Sequence, residues 1–308
     1  MLPPVMAGVD GSAESLAAAE WAAREAVRRD RPLRLVHAWN QQPHKGAGPS
    51  AETAQRYLAR RALRQAEDRI RRTCPGVKVD AEQVEGPATG ALLHAAEQAE
   101  LLVLGSRGLS GFTGFAVGSV ALGVVARATL PVVLVRAGEE PSDEHLPADD
   151  GSPSTRTGYQ DVVLGLDLGD PCDEVIEFAF EAARLRGARL HVVHAWQEPS
   201  TLGLGPGEIG LVNGPEQADE WLGFLDAVIK VWRDKYPEVE VVETVAEGRA
   251  RSVLVRAATG ASLLVVGRRT TERPAVAHRR LRGGPRTGPV THAAVQHVGC
   301  PVAVVPHE

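Results

Sequence analysis

The chain has 308 residues, 34 Lys and Arg against 39 Asp and Glu, and a formal net charge of -5 at pH 7. That length holds two domains of ordinary size, and the acidic balance argues against a whole-molecule nucleic-acid binder, which would be strongly basic. No apolar run reaches the roughly 18 residues of a membrane helix, and Cys74, Cys172 and Cys300 are odd in number and far apart, which argues against a disulfide framework or a zinc site and fits a reducing cytoplasm.

The opening "MLPPVMAGVDGS" enters an apolar run at residues 5–9, so no secretory leader is expected. An alanine-rich helical pattern follows, then a second apolar run at residues 33–38 and a charged helical stretch near residues 51–72. A third run at 77–84 leads to a helix at 89–99, and a fourth at 101–104 leads to the glycine-rich loop of "LVLGSRGLSGFTGFAVGSVALGVV". A last helix and the strand "PVVLV" at 131–135 complete the pattern.

The pattern then repeats. "VMAGVDGSAESLAAAEWAAREAVRRDRPLRLVHAW" aligns without a gap on "VVLGLDLGDPCDEVIEFAFEAARLRGARLHVVHAW", so that Gly8 meets Gly165, Asp10 meets Asp167 and Ala38 meets Ala195. Further on Gly86 meets Gly248, Gly105 meets Gly267, and "PVVLV" meets "PVAVV". Strands alternating with helices predict a parallel sheet covered on both faces, because each crossover carries the chain back over the sheet. The chain therefore divides into a first repeat at 1–138, an acidic, Pro- and Ser-rich linker at 139–158, and a second repeat at 159–308. The linker is expected to be solvated.

Parallel sheets bind ligands at the carboxyl ends of their strands. The glycine-rich loop starts at such an end, where missing β-carbons let backbone amides approach an anion. Ser119 is expected as the N-cap of the helix that follows, with the helix's unpaired N–H groups facing a phosphate. Plain turns and tight helix-to-sheet contacts use the same glycines, so the loop alone leaves the choice open. The Gly-Lys-Ser/Thr of a Walker loop is missing, and a dinucleotide fingerprint would follow the first strand rather than the fourth.

The spacing Gly105-x2-Gly108-x9-Gly118-Ser119, with "GVDGS" and "VHAW" at the two preceding strand ends, resembles the ATP-binding branch of the universal stress protein family, in the tandem form common in actinobacteria. The resemblance covers both repeats. It implies an α/β fold of two doubly wound five-stranded parallel sheets, strand order 3-2-1-4-5, of the adenine nucleotide alpha hydrolase-like type. It also implies ATP, with Mg at most as its companion, bound at the strand ends. Carried over, Asp10 meets the ribose and phosphates or Mg with Gly8 beside it, the Ala38 backbone meets the adenine edge, and Gly105, Arg107, Gly108, Gly118, Ser119 and Val120 hold the phosphates. The second repeat offers Gly165, Asp167, Ala195, Gly267, Gly288 and Val290. A carboxylate that caps the following helix is the plain alternative for Asp10. His37 and His194 read as packed strand-end residues, and Trp39 and Trp196 either stack on a base or seal the sheet edge.

The second loop departs from the signature. Gly267 to Gly288 spans 21 positions where Gly105 to Gly118 spans 13, Thr270 replaces the second glycine and Pro289 the serine. Proline removes one N–H and one hydroxyl from the anion site, a loss of about 1–3 kcal/mol to a phosphate. Seven arginines between residues 268 and 286 are available as substitutes. The second site is therefore expected to be weaker or held differently, and the linker acids are candidates to pair with the arginines and gate it.

No elbow nucleophile, HExxH or spaced carboxylate pair is present. The resemblance implies a regulatory, non-enzymatic ATP-binding protein of stress response or dormancy, with at most slow incidental hydrolysis. It also implies a cytoplasmic location, an unidentified protein partner and no membrane. The last strands are expected to pair, within the chain as a pseudo-dimer or between chains as a homodimer. The rivals are an ATP pyrophosphatase or adenylating enzyme of the same fold class, and a nucleotide-free interaction scaffold.

Overall fold

A computed structural model describes residues 2–39, 49–106, 117–197, 214–270 and 287–308. In the first repeat β1 (Val5–Gly8), α1 (Ala13–Arg28), β2 (Leu33–Trp39), α2 (Pro49–Thr73) and β3 (Val79–Glu85) are followed by α3 (Ala88–Ala96), β4 (Leu101–Ser106), α4 (Ser119–Val125) and β5 (Val132–Arg136). The second runs β6 (Val162–Gly165), α5 (Asp173–Arg186), β7 (Leu190–Trp196), α6 (Gly214–Lys235), β8 (Val241–Glu247), α7 (Ala250–Ala257), β9 (Leu263–Arg269), α8 (Pro289–His297) and β10 (Val302–His307).

The central strands are apolar along most of their length, with polar residues only towards their ends, because both their faces are covered. In β1, Val5 and Ala7 join the core on one side of the sheet and Met6 the core on the other, as a two-residue period demands. Leu101 and Val103 of β4 divide from Leu102 and Leu104 in the same way. The outermost strand β3 instead carries exposed Asp80 and Glu82, charges that discourage pairing with another chain.

Each repeat has the order 3-2-1-4-5. The two do not stay separate: β5 and β10 pair antiparallel, Ala303 opposite Val133, and make one ten-stranded sheet ordered β3-β2-β1-β4-β5-β10-β9-β6-β7-β8. The order reads the same from either edge, so a pseudo-twofold axis passes through the β5–β10 pair and points the strand ends of the repeats in opposite directions. Helices α1, α2, α5 and α6 share one core, and α3, α4, α7 and α8 lie over the other.

Helix ends repeat as well. α5 stops at Gly187 in the left-handed conformation at φ 59°, and the aligned residue after α1, Asp30, adopts the same conformation at φ 52°. Aspartate is one of the few residues with a side chain that enters this region readily.

Most linker residues are exposed, as composition predicts, but Glu139 and Glu144 are not. Pro141–Glu144 forms a 3-10 turn, and Glu139 and Glu144 turn inward onto α1. Glu139 pairs with Arg24 at 2.8 Å, and Glu144 pairs with Arg24 at 3.1 Å and with Arg28. Glu144 is 1% exposed. These two acids are occupied by α1, so the expected pairing with the second repeat's arginines does not involve them. Residues 271–286 of that arginine stretch lie outside the described residues.

Candidate functional site

The first strand-end site is built where β1 passes into α1. Gly11 turns the chain with φ 86°. Asp10 Oδ1 accepts from the Ser12 N–H at 2.9 Å and from its hydroxyl at 2.5 Å. Ser12 is the N-cap of α1 and accepts from the Ser15 N–H, while the Ser15 hydroxyl accepts from the N–H groups of Asp10 and Gly11. Partial burial pushes the Asp10 pKa up, but the Ser12 and Ser15 hydrogen bonds outweigh it and leave the pKa below its ordinary value. Asp10 thus remains an exposed, ionised carboxylate that organises the turn, while Ser12 does the capping.

Two glycines of the motif have packing reasons. A β-carbon on Gly105 would lie 2.5 Å from the Glu14 carbonyl carbon and 2.7 Å from the Ser15 nitrogen, so glycine lets the first turn of α1 rest on the end of β4. A β-carbon on Gly8 would lie 2.5 Å from Leu104 Cδ2. Gly118 is different: among the described residues nothing lies within 4 Å of where a β-carbon would sit. Gly118, not Ser119, is the N-cap of α4. Ser119 is the first helical residue, followed by Val120, and no side chain among the described residues caps the helix start. The expected N-cap is displaced by one residue because Gly118 is still extended, at φ -62° and ψ 148°. Ala38 is half-buried near the end of β2, opposite Val84. Arg107 and Gly108 lie outside the described residues.

In the second repeat Gly165, Asp167, Ala195, Gly267, Gly288 and Val290 all line one cavity of about 820 Å³. Val193, Leu254 and Val266 give it apolar walls. Asp167 repeats the turn of Asp10, accepting from the Gly169 N–H at 3.0 Å, and its side chain is 72% exposed. Gly288 is the extended N-cap of α8 and Pro289 its first residue, again with no side-chain cap among the described residues. The first turn of this nine-residue helix therefore presents N–H groups without an intrahelical partner. Thr291 is buried and donates to the Gly267 carbonyl at 3.1 Å.

Three further wall residues were noted in the sequence without being singled out for this cavity: Arg269, Cys172 and His194. Arg269 Nη2 lies 2.5 Å from Asp170 and 3.9 Å from Asp167, at the cavity rim. The resemblance pointed to its aligned residue, Arg107, which was the available signal. Cys172 also lines the cavity. Burial and the Glu174 carboxylate that accepts from it push this thiol up to about 11, so it stays protonated. His194 is buried, with Nδ1 3.0 Å from the Leu166 carbonyl and the ring 4.9 Å from that of Trp221, in keeping with a packed role.

A doubly wound repeat with a strand-end site, joined to its copy through the last strands, defines an α/β protein of the nucleotide alpha hydrolase-like class. The model of the universal stress protein family matches residues 1–136 and again 158–306. A universal stress protein of Mycolicibacterium smegmatis is 30% identical over 280 residues, covering 85% of this chain and 86% of that protein. The chain belongs to the universal stress protein family. A solved universal stress protein from Archaeoglobus fulgidus covers 99% of the chain and 98% of its own at TM-score 0.70 and 17% identity, a likeness of fold. A shorter universal stress protein, solved in complex with cAMP, covers 44% of this chain and 98% of its own at 27% identity and TM-score 0.36. Among the described residues no helix is long and apolar enough to cross a membrane.

Proposed function

We propose that this universal stress protein is a regulatory binder of adenine nucleotides, with ATP and its Mg at the first strand-end site and a weaker or differently held nucleotide at the second. The observation that carries the reading is the convergence of six aligned residues, from four separate segments of the chain, on one cavity. Its size falls in the range of small-molecule sites, roughly 300–1,000 Å³. The apolar walls suit a base, the Asp167 carboxylate suits a ribose hydroxyl, and the uncapped start of α8 suits a phosphate. Pro289 removes one donor from that helix start, where the first repeat has Ser119.

In this reading the protein acts by binding, in stress response or dormancy in the cytoplasm, and passes its nucleotide state to a protein partner. Its last strands already pair with each other, so association of whole chains uses another surface. The test is chromatography of the nucleotides released when the purified protein is denatured, followed by calorimetric titration with ATP, ADP and AMP. Release of adenine nucleotide and two unequal sites support the reading. Two equal sites overturn the asymmetry, and no binding of any of the three overturns the function. Turnover to AMP and pyrophosphate with an acceptor favours the adenylating rival.

A further inference from the structure

The second cavity is not made by the second repeat alone. Ala126, which ends α4 of the first repeat, contributes to its wall. Beside it stands Arg268, the penultimate residue of β9, only 7% exposed. Its guanidinium donates from Nη1 to the Ala126 carbonyl at 3.3 Å and from Nη2 to the Ala128 carbonyl. Ala126 is the C-cap of α4, where helices carry unsatisfied acceptors and partial negative charge, and Ala128 lies just past it. Burial draws the Arg268 pKa down, yet an arginine stays charged, so the cation matches the helix end in both hydrogen bonding and charge.

The link is one-sided. The residue of the first repeat aligned with Arg268 is Ser106, whose hydroxyl donates to the Val135 carbonyl within its own repeat. The antiparallel β5–β10 pair explains the geometry: it sets the ends of β9 and β10 beside the start of β5, which α4 precedes. α4 begins at Gly118 and Ser119, the counterparts of Gly288 and Pro289 in the second cavity, and its other end meets that cavity at Ala126.

We propose that Arg268 is a positioning residue that transmits occupancy of the second cavity to the first repeat, by holding the C-terminal end of α4 while forming part of the cavity wall. The proposal rests on the reading of that cavity as an adenine-nucleotide site. A ligand that draws on Arg268, or crowds it, changes the hold on α4 and hence the order of the segment that begins at Gly118. The differential contact that any coupling between sites requires is the pair of bonds from Arg268 to Ala126 and Ala128.

Amide hydrogen exchange at residues 122–128 tests this in the full chain, with and without saturating AMP, for the wild type, Arg268→Ser and Arg268→Lys. Binding is followed in parallel by calorimetry. Without AMP, exchange in R268S is expected to be on the order of tenfold faster than in the wild type, and R268K is expected to restore part of the protection. Addition of AMP is expected to change exchange at residues 122–128 in the wild type and not in AMP-bound R268S. Equal exchange in wild type and R268S, or an AMP response that survives in R268S, overturns the proposal while leaving nucleotide binding intact. Failure of AMP to bind the wild type overturns the nucleotide reading and the transmission together. The ligand-free comparison then still separates a clamp on α4 from a bystander.

Discussion

Arg186 of α5 donates to Glu25 of α1 at 2.8 Å, and both side chains are sealed from solvent at the seam between the repeats. Glu25 also accepts from Arg29 at 2.7 Å and from Arg28 at 3.1 Å. The aligned arginines serve the pseudo-twofold in a second way. Arg29 lies over the Phe178 ring at 5.3 Å, and Arg186 lies over the Trp21 ring, the residue aligned with Phe178, at 5.8 Å. One buried carboxylate thus balances arginines from both repeats, and each repeat covers the other's aromatic ring.

Removing that carboxylate leaves buried guanidinium groups short of a counter-charge. Glu25→Gln is expected to cost about 3–5 kcal/mol, as for other broken buried pairs, measured by urea unfolding. A loss below about 1 kcal/mol would show that the seam carries little of the stability.

Two glutamates at the seam give stability opposite pH slopes. Burial raises the Glu25 pKa, but Arg186, Arg29 and Arg28 outweigh it and hold it well below the ordinary value. Its contribution is therefore present above the usual carboxylate range and lost as pH falls through the lowered pKa. Glu139 is pushed up to about 7, first by burial and then by Glu144, which competes for the same Arg24 nitrogen. Its contribution is present below the unfolded value of 4.5 and lost as pH rises through about 7. The stability of Glu139→Gln, followed by thermal unfolding from pH 5 to 8, is expected to lose this downward slope, and an unchanged slope would remove Glu139 as its source.

The two kinds of glycine in the motif separate by substitution. Gly105→Ala drives a β-carbon against the backbone of Glu14 and Ser15, an overpacking cost of about 1–3 kcal/mol. Gly118→Ala meets none of the described residues at an already extended backbone, and the exchange at an N-cap costs about 0.5–1 kcal/mol. Denaturant midpoints of the two variants test the order.

Asp10→Ala and Asp167→Ala test the strand-end carboxylates repeat by repeat. Each removes one charged acceptor, and each is expected to weaken nucleotide binding at its own site about tenfold or more. Calorimetric titration resolves which of the two sites has changed. Equal affinities in wild type and both variants would assign these acids to their turns alone.

Glu144→Gln separates a role at α1 from a role at the second loop. Glu144→Gln takes a counter-charge from Arg24 and Arg28, so the effect is expected in unfolding free energy rather than in nucleotide affinity. A fall in affinity with unchanged stability would reverse that assignment.

Much of this architecture was legible in the amino-acid order. The gap-free match of residues 5–39 to 162–196 marks the duplication, and the alternation of apolar runs with helical patterns marks the parallel sheet. The alignment of Gly165, Asp167, Ala195, Gly267, Gly288 and Val290 anticipated the lining of one cavity. Such features are local or repeated, because burial on two sheet faces imposes its own periodicity on each strand. The rest depended on partners that no short window contains. Composition made Glu139 and Glu144 look solvated, but chain reversal after β5 lays them on Arg24 and Arg28. Gly105 looked like a ligand-facing glycine, and the approach of α1 supplies its packing role. Arg268 stood in a run of arginines with nothing to set it apart until antiparallel pairing of β5 with β10 brought it to the carbonyls of Ala126 and Ala128. Side-chain partners more than a hundred residues apart are chosen by strand pairing, and only the assembled sheet decides them.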